Sequence, residues 1–435
     1  MNRTLHSIEW QRPCADTRRR VLLIVLPTLF LSGCPSVGPL PPGGGSGDLV
    51  DGNRDSTVIS SLGKTSGEPD DHFSVPVVAV IDDGGLAALE GTVSSSDDLD
   101  VYLLGALDAG DRLIIDAFAA PSSLLDVSIA VFDNEERLVS NNDDRTETNL
   151  DSRIDFIVRH AGNRYFLVVT RSAFASSQRN TGEYTVDVQV IHGNGVPQPV
   201  AQVLLLDFDG GAVNSPVLGQ MTLAPFSAGD IHRIYLGQTD TIKNAIREVF
   251  EQNYSRFNVS VFTTDDPAPP PPGTMFSTIF FGGFDQTAFG IAEDVDLYNA
   301  DVCDDAIIFA QSFTPSLFTF TPTAEELGLA IGNVASHEAG HLLGLNHVDD
   351  DLDLMDDRSP ADSFLFDQEF KDSPLSTDIM PIGTQDGMFL LDDIVGPRPD
   401  ESGKMIFRGR IRSRGGLFQP GGVEITRRMS PKGSW

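Results

Sequence analysis

Residues 337–347 read HEAGHLLGLNH. His337 and His341 stand four apart. On a helix that spacing puts both imidazoles on one face, one turn apart, where they can hold a single metal ion. Glu338 lies beside the first of them, out of the ligand plane and placed to hold a water there. Gly344 can supply the positive φ that ends a helix, and the returning chain then brings in His347 as a third nitrogen. Three neutral imidazoles with a fourth position left open describe a catalytic zinc site rather than a closed structural one. Three of the eight histidines in the chain fall at these positions, which weighs against incidental histidines on a buried helix.

The pattern HExxHxxGxxH, matched at His337, Glu338, His341, Gly344 and His347, resembles that of the metzincin zinc proteases. The resemblance implies that His337, His341 and His347 are zinc ligands, that Glu338 is the general base and that Gly344 makes the turn. It also implies a methionine-bearing turn further on. Met355, in DLDLMDD, has a spacing similar to that of matrix-metalloprotease-like members and is favoured. Met380, in TDIMPIG, is the alternative. Neither is followed by Tyr, so the extra tyrosine ligand of astacin-like and serralysin-like families is not expected.

The chain has 435 residues, which suggests two or three domains. A formal net charge of -33 should repel nucleic acid and anionic lipid surfaces, and no nucleic-acid partner is expected. Acidic runs at Asp97-Asp98, Asp143-Asp144, Asp304-Asp305 and Asp349-Asp350-Asp351 read as solvated loops. They also make Ca²⁺ a candidate second metal, although none follows the EF-hand or glycine-rich nonapeptide pattern. Only Cys303 of the three cysteines lies in the body of the chain, so no disulfide framework is expected there, and Cys303 reads as a buried or incidental thiol.

Arg18-Arg19-Arg20 followed by VLLIVLPTLFLSGC reads as a secretory signal over residues 1–33. Its end, Leu31-Ser32-Gly33-Cys34, resembles a bacterial lipobox. That resemblance implies lipidation of Cys34, a membrane partner through that anchor, and an outer-membrane or surface location. Residues 34–72, rich in Pro, Gly, Ser and Asp, read as a flexible tether.

Residues 73–193 carry short alternating runs separated by turn residues, and the fold class expected for them is an all-β sandwich. Strands are predicted at Asp100–Leu104, Arg112–Phe118, Val127–Phe132, Ile154–Val158, Tyr165–Thr170 and Tyr184–Val190. This order resembles the bacterial pre-peptidase C-terminal domain, here placed before the catalytic part, which leaves its role open between spacer and binding module. Residues 198–395 are expected to form an α+β, metzincin-like catalytic domain. Strands are predicted near 202–208, 258–263, 277–282 and 306–311, with a short edge strand at Gly290-Ile291-Ala292. One helix is capped by Thr239 or Asp240, and another opens on a Thr323/Glu326 capping box and runs to about Leu343. Residues 396–435 read as a basic tail.

The function expected is a secreted or surface-anchored zinc endopeptidase acting on protein or peptide substrates. Two other readings stay open: a zinc hydrolase of non-protein substrates, and a surface-binding lipoprotein whose protease is latent.

Overall fold

Tyr184, Val186, Val188 and Val190 are buried while the residues between them are part-exposed, the alternation of a strand with one face on a core. The computed structural model describes residues 65–66 and 71–399, apart from 147 and 216–218. The predicted leader, Cys34, most of the tether and the tail beyond residue 399 lie outside the described residues.

Ten strands build the first half: β1 (Thr65–Ser66), β2 (Val77–Val78), β3 (Leu86–Val93), β4 (Asp100–Leu107), β5 (Arg112–Ala119), β6 (Val127–Phe132), β7 (Leu138–Asn142), β8 (Ser152–Ile157), β9 (Gly162–Arg171) and β10 (Gly182–Ile191). They form two five-stranded sheets, ordered β1-β3-β10-β5-β8 and β2-β4-β9-β6-β7. Leu89, Leu113 and Val186 of the first sheet meet Ile129, Leu167 and Val169 of the second in one apolar cluster, so the half is a β-sandwich. Two points differ from the sequence reading. Thr65–Ser66, inside the segment expected to be tether, pairs in parallel with β3 and covers that sheet edge. Strands β3 and β7 were not predicted, because LAALEGTV and LVSNN are poor in β-branched and aromatic residues.

The second half has a sheet ordered β14-β11-β15-β17-β16, from β11 (Gln202–Asp207), β14 (Val259–Thr263), β15 (Ser277–Phe281), β16 (Gly290–Ala292) and β17 (Asp305–Ile308). All pairings are parallel except that of β16, which runs antiparallel to β17 and forms the sheet edge. The hairpin β12 (Gly211–Ser215) and β13 (Gly219–Leu223) was not predicted, nor were the two-stranded pair β18 (Asp372–Pro374) and β19 (Thr384–Asp386). Helix α1 (Thr239–Asn253) crosses from β11 to β14, and helix α2 (Ala324–Leu342) lies beneath the sheet, packed on α1.

Thr323 and Glu326 do form the capping box that opens α2: Thr323 Oγ1 accepts from the Glu326 N–H at 3.2 Å, and Glu326 Oε2 accepts from the Thr323 N–H at 2.8 Å. The cap predicted for α1 differs. Gln238 takes the N-cap place with no side-chain bond, and the Thr239 hydroxyl accepts from the Ala228 N–H instead. A further helix, α3 (Gly387–Ile394), closes the half, and the chain stays packed to Arg398, whose guanidinium donates to the Val259 carbonyl at 2.7 Å.

The two halves are one compact unit up to Arg398. Strand β6 is buried throughout, and β9 from Tyr165 to Thr170. Ala130, Phe132, Phe166 and Val168 pack outward onto Leu375 and Met380 of the second half. A strand covered on both faces reads as a continuous apolar run, which is what VSIAVF and YFLVV are. Polar contacts reinforce the seam: Arg159 donates to the Asp393 carbonyl at 2.7 Å, and the Tyr298 hydroxyl donates to the Val139 carbonyl at 3.1 Å.

Cys303 is half-buried, and its N–H donates to Asp301 Oδ1 at 3.1 Å; the other two cysteines, Cys14 and Cys34, lie outside the described residues. Among the described residues, no helix is long and apolar enough to cross a membrane.

Candidate metal centre

Helix α2 carries His337 and His341 on one face. It ends at Leu342, and Gly344 follows with φ +90°. The Gly344 N–H donates to the His341 carbonyl at 2.8 Å, and the Leu345 N–H to the Gly340 carbonyl at 2.9 Å, which satisfies the last turn. Glycine is required here twice over. Its φ is left-handed, and a Cβ would stand 2.7 Å from the Asp296 carbonyl oxygen and 2.9 Å from the Tyr298 nitrogen. The reversal delivers His347 to the other two histidines.

The three imidazoles converge. His341 Nε2 lies 3.0 Å from His337 Nε2 and 3.1 Å from His347 Nε2. The outer nitrogens decide the tautomers: His337 Nδ1 is 2.6 Å from the Leu354 carbonyl oxygen and His341 Nδ1 is 2.8 Å from that of Leu345. A carbonyl only accepts, so each Nδ1 carries the proton and each Nε2 presents a lone pair. His347 Nδ1 faces the Asp357 carboxylate, with Oδ2 at 3.6 Å. Lone pairs this close repel unless a cation stands between them. A tetrahedral zinc with bonds of about 2.0–2.1 Å sets its nitrogens about 3.3–3.4 Å apart, close to the spacing found. Burial drives His337 down to about 4, and holds His341 and His347 well below the usual imidazole range, so all three are neutral near pH 7. The donor set fits a divalent metal of the zinc type.

Glu338 is buried beside the triad, and its Oε2 has no hydrogen-bond partner. Burial pushes its carboxyl well above the usual range. An orphaned, desolvated carboxyl next to three converging lone pairs is the arrangement a neighbouring dication would stabilise as carboxylate. A small cavity of about 30 Å³ lies alongside, lined in part by Phe289, Gly290, Val334, His337, Glu338 and Phe364. It has room for about one water.

The structure places the two methionines differently. Met355 is fully buried under α2, with Sδ 2.5 Å from where a Cβ on Gly340 would stand. Met380 packs in the apolar seam with Phe132 and Phe166. Sequence reasoning missed Asp357, the Leu354 and Leu345 carbonyls, and the closeness of Gly290 to Glu338. No local pattern marks these: Leu354 and Asp357 come from the loop after His347, and Gly290 from strand β16. Among the described residues the three histidines are the only group of three or more His, Cys, Asp or Glu whose ligand atoms lie within 4.8 Å of one another. The acidic runs considered for Ca²⁺ form no such group.

No protein-family model and no curated protein matches the chain. Distant likenesses to solved structures exist. The periplasmic lysozyme inhibitor PliG of Aeromonas hydrophila is 13% identical, over 27% of this chain and 96% of that one, with a TM-score of 0.22. The pre-peptidase C-terminal domain of a Bacillus anthracis collagenase is 12% identical, over 24% and 88%, with a TM-score of 0.18. Archaemetzincin of Methanopyrus kandleri is 13% identical, over 38% and 86%, with a TM-score of 0.22. Likenesses this low define no activity.

Proposed function

We propose that the protein is a zinc-dependent endopeptidase. The observation that carries this reading is the convergence of three neutral Nε2 atoms with a buried, unpartnered glutamate beside them. Zinc held by His337, His341 and His347 would polarise a peptide carbonyl and lower the pKa of a water toward about 7. Glu338 takes the proton of the attacking water and returns it to the leaving amine. Strand β16 adjoins Glu338 and is the last strand of its sheet, so an extended peptide adding to it would bring a carbonyl to the site. Met355, beneath Gly340, is the methionine we assign to the turn that floors the site.

Export and a lipid anchor at Cys34 rest on the residues of the leader, and loss of membrane association in Cys34→Ser tests them. The activity itself is tested by casein cleavage. The purified protein should cleave, and both Glu338→Ala and a zinc chelator should abolish cleavage. A Glu338→Ala protein that cleaves as well as the parent would end the reading.

A further inference from the structure

His347 is the one member of the triad that no helix carries. His337 and His341 ride on α2, and their Nδ1–H groups donate to the Leu354 and Leu345 carbonyls at 2.6 and 2.8 Å. His347 follows the reversal at Gly344, and Asp357 Oδ2 stands 3.6 Å from its Nδ1, beyond ordinary hydrogen-bond reach. A metal site tolerates displacements of only about 0.2 Å in its ligand distances, so the backbone that carries this imidazole must be held.

One buried side chain holds it. Gln385 Oε1 accepts from the Asn346 N–H at 2.7 Å, and Gln385 Nε2 donates to the Asn346 carbonyl at 2.7 Å. Both backbone groups of the residue before His347 are taken by one planar amide, and turning that amide over would break both bonds. Gln385 is 1% exposed and Asn346 4%, so water does not compete for either bond. On the other side of the ligand, the Ser376 N–H donates to the His347 carbonyl at 3.1 Å.

Gln385 in turn has a fixed place because strand β19 is seated on the sandwich. The Thr384 N–H donates to the Glu136 carbonyl at 3.1 Å. Gly383, with φ +84°, lies so close to β6 that a Cβ there would stand 2.2 Å from Phe132 Cε1. Asn346 also reaches the sandwich directly, its Nδ2 donating to Asn141 Oδ1 at 3.3 Å. Leu375, next to Ser376, packs in the apolar cluster with Phe132 and Phe166. The third ligand is framed by segments that each touch the sandwich.

We infer that Gln385 is a positioning residue for the metal centre: its amide places His347, and the sandwich, by seating Gln385, takes part in setting metal affinity. The sandwich is then more than a spacer. This inference rests on the metal centre of the endopeptidase reading, but not on cleavage.

Zinc affinity is measured on the full chain by competition with a chromophoric chelator, with the fold of each variant checked by circular dichroism. Gln385→Met, similar in length but unable to form either bond, should bind zinc about 10–100-fold more weakly than the parent. Gln385→Asn keeps the amide but falls one methylene short, and carries the same test should the methionine variant not fold. Val186→Ala truncates the core from the sheet away from the seam, and should destabilise the protein with zinc affinity unchanged. Cobalt in place of zinc gives a second readout: the visible absorption of the bound ion should change in Gln385→Met and not in Val186→Ala. Parent-like zinc affinity and cobalt absorption in the folded Gln385 variant, or an equal loss of affinity in Val186→Ala, overturns the proposal. Weakened zinc binding in that variant, with no peptide cleaved by the parent protein, supports it and sinks the endopeptidase reading instead. A parent protein that binds no zinc overturns both.

Discussion

Gly290 and Glu338 touch across the gap between the edge strand and helix α2: a Cβ on residue 290 would stand 2.4 Å from Glu338 Oε1. The glutamate has its position because the strand lacks a side chain there. Gly290→Ala should push the carboxyl aside by about an ångström and lower kcat by as much as 100-fold. Zinc affinity, read by chelator competition, should stay unchanged, since no ligand moves.

Ligand and base separate by a different pair of readouts. His341→Ala should lose both zinc, measured by elemental analysis, and activity. Glu338→Gln should keep one zinc per chain and lose about 10²–10⁴-fold in kcat. Full loss of zinc in Glu338→Gln would remove the glutamate from the role of base.

Asp357 stands behind His347, with Oδ2 3.6 Å from Nδ1 and 3.2 Å from the Ser376 hydroxyl. Carboxylates behind a ligating imidazole hold its tautomer and orientation. Asp357→Asn should weaken zinc binding by about 10–100-fold, visible as faster loss of metal to a chelator.

Met355 and Met380 are both buried, so truncation of either to Ala should cost about 2–5 kcal/mol in denaturant unfolding. They should differ at the metal. Met355→Ala loosens the floor beneath Gly340 and should weaken zinc binding, whereas Met380→Ala opens the seam with the sandwich and should not. Met355→Leu, nearly equal in volume, should cost less than about 1.5 kcal/mol.

The seam carries one pH-sensitive contact. His160 Nε2 lies 2.7 Å from Asp393 Oδ2, and that hydrogen bond raises the imidazole above its ordinary 6.5. A raised folded value means the contribution is fully present below pH 6.5 and is lost as pH rises through the folded pKa. His160→Gln should therefore lower the thermal midpoint of the protein below pH 6.5 and lower it little at pH 9. An equal loss at both values would assign His160 a packing role only.

Much of the candidate site was legible because it is local. The ligand spacing, the turn at Gly344 and the Thr323/Glu326 cap all lie within a few residues of one another, and helix geometry converts that spacing directly into position. Asp357 was not legible, because its link to His347 depends on how the loop after the third histidine folds back. Nor was the seam between the two halves, where residues some two hundred apart meet, as Asn141 and Asn346 do in a hydrogen bond at 3.3 Å.

By itself the sequence determined the convergent histidines, the glutamate beside them, the helix that carries them and the alternating strands ahead of them, all set by backbone periodicities of 3.6 and 2. Tertiary structure alone decided which methionine lies under the ligand helix and which carbonyls orient the imidazoles. It also decided that the sandwich is fused to the second half rather than held apart from it. Those outcomes depend on which distant apolar surfaces exclude water together, as Phe132 and Phe166 do with Met380, and no local period encodes the partner.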